Sequence, residues 1–198
     1  GESLGVLDGV PISVKDELDM LPFPTLAGSK FYSTQPPEQD ATSVARLRSA
    51  GALMVGKTNM HEIGLGVTGL NVHYGTTRNP HHLDHYPGGS SSGSAAAVAA
   101  GLSPIALGLD GGGSIRIPAS LCGVVGLKTT WGRISSAGAV PLSWSVSTVG
   151  PITATADDAA LAYSFLAGAD PRQLRTQNQP PVDLQDFNNT NLAGVKLG

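Results

Sequence analysis

Short apolar runs recur along this chain and predict the strands of a sheet. In the opening run, Val10, Ile12 and Val14 alternate with other residues, and the run ends on Lys15. Such alternation is typical of a strand. Further apolar runs predict strands at residues 52–56, 104–109 and 124–128. The carboxyl end of the first predicted strand therefore carries a lysine.

Apolar positions with helical spacing lie between the predicted strands. Residues 40–50 predict a helix, with Asp40 or Thr42 as the cap of its start and Gly51 as its stop. Residues 94–100 are rich in alanine and predict a buried helix, because small side chains pack closely against a sheet.

Two more helices are predicted in the second half of the chain. Residues 115–121 follow a glycine-rich loop and have Pro118 in the first turn, where proline is tolerated. Residues 156–167 form the other helix, and Thr155 with Asp158 matches a capping box. Strands that alternate with helices favour an α/β fold, in which ligands bind beyond the carboxyl ends of the strands.

Three stretches lack a regular period. Residues 59–80 are rich in turn-forming residues and indicate a long loop of the kind that often carries function. A glycine- and serine-rich stretch extends from residue 129 to Gly150 without a predicted strand. Residues 171–191 are rich in Gln, Asn, Pro and Asp and predict an exposed connection.

Composition narrows the class of protein. The 198 residues are 40% apolar, which is typical of a soluble globular protein. A net charge of −3 without a basic cluster argues against a nucleic-acid partner. Cys122 is the single cysteine and allows no internal disulfide, which fits a reducing compartment. We therefore expect an intracellular location, either cytoplasmic or membrane-associated.

Both ends of the chain indicate a piece of a larger protein. The first residue is Gly1, not Met, and residues 193–198 are interpreted as the beginning of a strand with nothing to pair with. No window is long and apolar enough for a membrane span. We expect residues 1–198 to be an incomplete segment of one domain.

Two serines in glycine-rich surroundings are the candidate nucleophiles. Ser90 lies in Gly-Gly-Ser-Ser-Ser-Gly-Ser and Ser114 in Asp-Gly-Gly-Gly-Ser-Ile-Arg. Glycine lets the backbone approach a substrate and turn several N–H groups toward one point, as the stabilisation of an oxyanion requires. A serine hydroxyl also needs a base to take its proton.

The order of residues argues against histidine as that base. Residues 89–93 match the G-x-S-x-G nucleophile elbow with Ser91 as the nucleophile, but that motif requires a preceding strand and a histidine downstream. All five histidines precede Ser90, and residues 79–88, directly before it, do not predict a strand. Lys15 is the alternative base, because an amine that burial keeps neutral can accept a proton, and a hydroxyl between the two could pass it on.

The same residues allow other interpretations. The cluster His81-His82-Leu83-Asp84-His85 has metal-ligating residue types, but no second ligand cluster accompanies it. Glycine-rich loops before helices also bind phosphates, yet neither loop has the Gly-Lys-Ser/Thr ending of a P-loop. A lysine at a strand end, taken alone, is usually a solvated charge. We predict neither a metal nor a cofactor.

Three motifs in this order resemble the amidase signature family: residues 9–16, residues 88–94 and residues 110–116. The resemblance covers nearly the whole chain and continues through residues 56–60, 122–128 and 149–153. It implies an α/β fold in which α-helices cover a mixed, twisted β-sheet.

The resemblance also assigns roles to individual residues. It implies Ser114 as the acyl-enzyme nucleophile, Ser90 on a cis peptide bond as the proton relay, and Lys15 as the final base. The oxyanion hole would consist of the N–H groups of Gly111, Gly112, Gly113 and Ser114. As supporting residues, Ser91 would hydrogen-bond to Lys15 and Arg116 would brace the nucleophile loop.

Within the family the chain is most similar to plant-type fatty acid amide hydrolases, on residues 16–19, 21–25 and 74–80. It departs from the commonest family pattern at Ser92, where glycine is usual, and after Lys128, where proline is usual. The resemblance implies a small amide substrate such as a fatty acid amide or N-acylethanolamine. Peripheral membrane contact through parts outside this chain and a homodimer are compatible with it. Two alternatives stay open: the glutaminase component of a tRNA-dependent amidotransferase, which passes ammonia to a partner, and a binding module without catalysis.

Overall fold

The computed structural model describes residues 2–191 and 193–196, and its centre is a five-stranded sheet in the order β2-β1-β3-β5-β4. The strands are β1 (Pro11–Lys15), β2 (Leu53–Thr58), β3 (Ile105–Asp110), β4 (Val125–Gly126) and β5 (Thr148–Thr153). Strand β1 runs parallel to both β2 and β3, whereas β5 runs antiparallel to β3 and β4. The predicted α/β class with a mixed sheet is confirmed.

Helices cover both faces of this sheet. They are α1 (Thr42–Ser49), α2 (Ser92–Ala99), α3 (Arg116–Cys122) and α4 (Ala156–Leu166), with 3₁₀ turns at Glu62–Gly64 and Leu174–Thr176. One hydrophobic cluster joins Leu107 of β3 to Leu47 of α1 and Leu166 of α4. The other joins Ala106, the neighbour of Leu107, to Val98 of α2. Because side chains alternate along a strand, β3 serves both clusters and must be apolar throughout.

The predicted elements largely agree with the structure. Strands β1, β2 and β3 and all four predicted helices are present within a few residues of the expected bounds. The capping box of α4 is confirmed, since Thr155 Oγ1 accepts a hydrogen bond of 3.1 Å from the N–H of Asp158. Pro118 lies in the first turn of α3, as expected.

The predicted cap of α1 is wrong. The residue at the N-cap is Ala41, and no side chain caps this helix. Asp40 instead accepts hydrogen bonds from the N–H of Leu21 at 2.8 Å and from Nε of Arg48 at 2.9 Å. Thr42 Oγ1 lies 2.5 Å from a carboxylate oxygen of Asp170. Both side chains are therefore engaged in tertiary contacts.

Strand β5 lies in a stretch where no strand was predicted. Gly150 and Pro151 occupy its middle, and both residue types are rare inside strands, so the local sequence argues against one. Predicted strand 124–128 is reduced to Val125–Gly126. The strand predicted at residues 193–198 is absent from the described residues 193–196, and its last two residues, Leu197 and Gly198, lie outside the described chain.

Candidate active site

Lys15 is the last residue of β1 and is completely buried. Its Nζ lies 2.7 Å from Ser90 Oγ and also donates to the carbonyl oxygen of Leu109 at 3.3 Å. Strand β1 lies between β2 and β3 in the sheet, so both of its edges are paired with a neighbouring strand. The structure thus brings together two of the residues that the sequence singled out.

Ser90 lies in the loop that enters α2 and is 1% exposed. The peptide bond between Gly89 and Ser90 is cis, as the resemblance implied. A Cβ atom on Gly89 would lie 2.8 Å from the backbone nitrogen of Gly69, so only glycine fits this close approach. The loop is also held by the N–H of His61, which donates to the Ser90 carbonyl at 3.1 Å.

Ser114 lies in the loop between β3 and α3, beside the loop of Ser90. Its carbonyl oxygen accepts a hydrogen bond of 3.1 Å from the N–H of Ser91, which ties the two serine loops together. The residue is 9% exposed. Its hydroxyl forms no hydrogen bond within the described part of the chain, so the proposed link from Ser114 to Ser90 is not closed in this state. Catalytic hydrogen bonds are often loose before substrate binds.

The glycine loop before Ser114 supplies fewer candidate oxyanion donors than expected. Gly113 donates its N–H to Asp110 Oδ1 at 2.9 Å, so this donor is already engaged. Its φ of +132° lies in the region that favours glycine. Among the described residues, the N–H groups of Gly111, Gly112 and Ser114 have no hydrogen-bond acceptor. The expected contribution of Gly113 to the oxyanion hole stays a prediction, and in this structure its N–H holds the loop to Asp110.

Asp110 organises this loop and was missed from the sequence. Its buried carboxylate also accepts the N–H of Ile115 at 3.0 Å and two bonds from the guanidinium of Arg116, at 3.0 and 3.1 Å. Lys128 Nζ lies 3.2 Å away. Burial alone would raise the pKa of Asp110, but these hydrogen bonds and the Lys128 charge hold it well below its usual range. An aspartate directly before a run of glycines was the available signal.

Arg116 contacts the nucleophile loop through Asp110, in the bracing position that the resemblance implied. Its side chain is about half exposed, so the contact with Asp110 lies at the edge of the site. Lys128 reaches further into the loop and donates to the carbonyl oxygens of Asp110 at 2.5 Å, Gly111 at 3.2 Å and Val146 at 2.8 Å. Together the two cations hold the turn that leads to Ser114.

The expected hydrogen bond between Ser91 and Lys15 is not formed within the described chain, which corrects that prediction. The Ser91 hydroxyl lies 3.5 Å from the Leu109 carbonyl, the same oxygen that Lys15 contacts. The partner of Lys15 that the sequence analysis missed is Glu17, whose Oε2 lies 2.6 Å from Nζ. Glu17 lies in the turn after β1, which the N–H of Leu18 closes on the Lys15 carbonyl at 3.0 Å, so turn geometry and not strand alternation places it beside Lys15.

The remaining candidates lie outside this site. His81 Nε2 lies 2.9 Å from the Cys122 carbonyl, and His82 and His85 contact each other through their Nδ1 atoms at 2.8 Å. Within the described ranges no three His, Cys, Asp or Glu side chains group as a metal would require. Burial raises the pKa of the Cys122 thiol to about 11, which keeps it in its unreactive protonated form.

A buried lysine against a glycine-framed serine, with a second such serine beside it, agrees with the motifs identified in the sequence. The family model for amidases matches residues 1–198. The chain belongs to the amidase signature family. Fold and motif order thus lead to the same family.

The similar proteins are named for three different activities: fatty acid amide hydrolase, tRNA-dependent amidotransferase and peptide amidase. Fatty acid amide hydrolase of Oryza sativa subsp. indica is 47% identical over 203 residues, covering 100% of this chain and 33% of the relative. The glutamyl-tRNA(Gln) amidotransferase of Cyanothece sp. has a component that is 47% identical over 198 residues, covering 100% of this chain and 41% of the relative. Native peptide amidase from Stenotrophomonas maltophilia superposes with a TM-score of 0.87 at 42% identity, covering 93% of this chain and 39% of that one.

This chain spans about a third of the length of the fatty acid amide hydrolase that it matches. No helix in the described part of the chain has both the length and the apolar character that crossing a bilayer demands.

Proposed function

We propose that this chain forms the catalytic core of a serine-dependent amidase and that residues 1–198 belong to a longer amidase domain. The observation that carries the proposal is the buried contact of 2.7 Å between Lys15 Nζ and Ser90 Oγ. It lies beside the loop of Ser114, which is hydrogen-bonded to the Ser90 loop. A base, a proton relay and a nucleophilic hydroxyl are the groups that acyl transfer requires.

In this mechanism Ser114 Oγ attacks the amide carbonyl to form an acyl-enzyme. Its proton passes to the Ser90 hydroxyl, which gives its own proton to the neutral amine of Lys15. The N–H groups of Gly111 and Gly112, with that of Ser114, bind the developing oxyanion. The same route returns the proton to the departing nitrogen, which is a poor leaving group until it is protonated. None of these steps needs a cofactor.

For the substrate we propose a fatty acid amide such as an N-acylethanolamine. The likeness to plant fatty acid amide hydrolases supports this choice, since one of them is 47% identical over the whole of this chain. A lipid amide would favour peripheral membrane contact and an intracellular location.

The glutaminase component of a tRNA-dependent amidotransferase is the second candidate, because such a component is 47% identical to this chain. That function would hydrolyse glutamine and pass ammonia to a partner. The complete protein, purified alone, should hydrolyse oleoylethanolamide and leave glutamine intact. Release of ammonia from glutamine only when partner proteins are added would establish the second candidate instead.

Covalent labelling tests the role of each serine. After treatment of the complete protein with a fluorophosphonate, mass spectrometry should place the adduct on the Ser114 peptide. The variant Ser114→Ala should lose the adduct and the activity, whereas Ser120→Ala, at an exposed serine of α3, should keep both. An adduct on Ser90 would reverse the assignment, and no adduct together with no turnover would favour a binding module.

A further inference from the structure

A buried carboxylate contacts the proposed base. The side chains of Lys15 and Glu17 are both fully buried, and Glu17 Oε2 lies 2.6 Å from Lys15 Nζ. Within the described chain, no other group forms a hydrogen bond with either carboxylate oxygen of Glu17. The Lys15 amine is therefore its single polar partner, although the mechanism above uses only the lysine.

The local backbone explains this pairing. Lys15 ends β1, and residues 16 and 17 form a turn that the N–H of Leu18 closes by donating to the Lys15 carbonyl at 3.0 Å. Asp16 pairs with Lys57 of β2, at 3.2 Å. Glu17 is the carboxylate of this turn that contacts the proposed base.

Other charged groups around this pair have partners of their own. Asp110, which ends β3, contacts Arg116 and Lys128. Asp16 contacts Lys57, and Glu62 of the 59–80 loop contacts His73 at 2.9 Å. Helix α2 and strand β5 carry no charged or titratable residues. Glu17 is therefore the nearest charge to Lys15 among the described residues.

Lys15 Nζ has three polar contacts: Glu17 Oε2, the Leu109 carbonyl oxygen and Ser90 Oγ. The three N–H bonds of an ammonium group can serve all of them, with Ser90 Oγ as an acceptor. A neutral amine can serve the same contacts by donating two N–H bonds and accepting the hydroxyl hydrogen of Ser90, which is the direction that the proposed mechanism requires. Proton transfer then turns an amine beside a carboxylate into an ammonium beside a carboxylate, and the buried pair gains a compensating charge instead of an isolated one.

We propose that Glu17 is a positioning residue for the base: it orients the Lys15 amine toward Ser90 and, through its negative charge, sets the pH above which Lys15 can accept a proton. This inference rests on the proposed amidase function. A carboxylate in contact favours the protonated amine, so it strengthens the base and moves the onset of activity to higher pH.

The test is the pH dependence of kcat/KM in the complete protein. Glu17→Gln removes the charge with little change of shape, and the acidic limb should move to lower pH by about one unit or more. Glu17→Asp keeps the charge but withdraws it from the amine, so the limb should move less while kcat falls. Glu62→Gln, which removes a carboxylate without contact to Lys15, is the matched control and should leave the limb in place.

A spectroscopic titration separates this inference from the proposed function. The Lys15 amine is followed by NMR of protein with ¹³C-labelled lysine, a signal that needs no turnover and is assigned by its loss in Lys15→Met. Its midpoint should move to lower pH in Glu17→Gln. If that variant does not fold, Glu17→Met carries the same expectation. An unmoved midpoint in a folded variant overturns the role of Glu17, whereas a moved midpoint without amidase activity in the wild type overturns only the proposed function.

Discussion

Two carboxylate clusters lie at the carboxyl ends of the neighbouring parallel strands β1 and β3, and they differ in how well their carboxylates are bonded. Asp110 accepts backbone N–H groups and a two-pronged contact from Arg116. Glu17 has Lys15 as its single polar partner in the described chain. Many fixed donors keep a carboxylate ionised and its loop rigid. The single partner of Glu17 is Lys15, which can itself gain or lose a proton. The electrostatic interaction within this pair therefore changes when Lys15 accepts a proton.

The two clusters therefore have different proposed roles. The Asp110 cluster shapes the loop that presents Ser114, so breaking it should first cost stability and loop geometry. The Lys15 cluster handles the proton, so breaking it should first cost turnover. This difference is tested by measuring, for variants in each cluster, whether kcat or the free energy of unfolding falls more.

The largest effect is expected from Lys15→Met, which removes the proposed base and keeps an aliphatic side chain of similar length. We expect kcat of the complete protein to fall by about 10²- to 10⁴-fold, the usual contribution of a positioned base. Steady-state kinetics near neutral pH, with circular dichroism to verify the fold, provide the measurement. Full activity in a folded variant would eliminate the lysine mechanism.

The same substitution should also reveal the buried charge of Glu17. Without the N–H of Lys15 this buried carboxylate has no hydrogen-bond donor among the described residues, so Lys15→Met should lower the free energy of unfolding by about 1 to 3 kcal/mol. The double variant Lys15→Met/Glu17→Gln should recover most of that loss but none of the activity. Equal stability of the single and double variants in urea unfolding would show that the two side chains are not coupled.

Asp110→Asn should reduce the free energy of unfolding more than it reduces kcat, which is the reverse of the order expected for Lys15→Met. Removal of the charge leaves Arg116 and Lys128 without their shared partner, and we expect a loss of about 3 kcal/mol in the free energy of unfolding. The pKa of Asp110 is held below its usual value, so its stabilising contribution is complete above about pH 4 and is lost as pH falls further. The stability difference from wild type should thus be flat near neutral pH and narrow in acid; a difference independent of pH down to strong acid would contradict this.

The sequence could predict the parts of this site that depend on order along the chain. An apolar strand that ends on Lys15 and a glycine-framed Ser90 were sufficient to predict one contact, that between Lys15 Nζ and Ser90 Oγ. What the sequence did not show depended on partners distant in sequence or on local loop geometry: Ser91 turned toward Leu109, and Gly113 donates its N–H to Asp110. Strand β5 was missed for a similar reason, because pairing with β3 outweighs the unfavourable Gly150 and Pro151.

The smallest effect is expected from Arg116→Gln, and it sharpens the comparison within the Asp110 cluster. The guanidinium is about half exposed, so its contact is screened by water, and Asp110 keeps its backbone donors and Lys128. We therefore expect the free energy of unfolding to fall by about 1 kcal/mol or less. Lys128→Gln should cost more, because Lys128 is less exposed and also donates to carbonyl oxygens on two segments. Chemical denaturation of both variants tests this order. A folded Arg116→Gln variant with normal stability but no turnover would place Arg116 with the reacting groups and not with the loop that supports them.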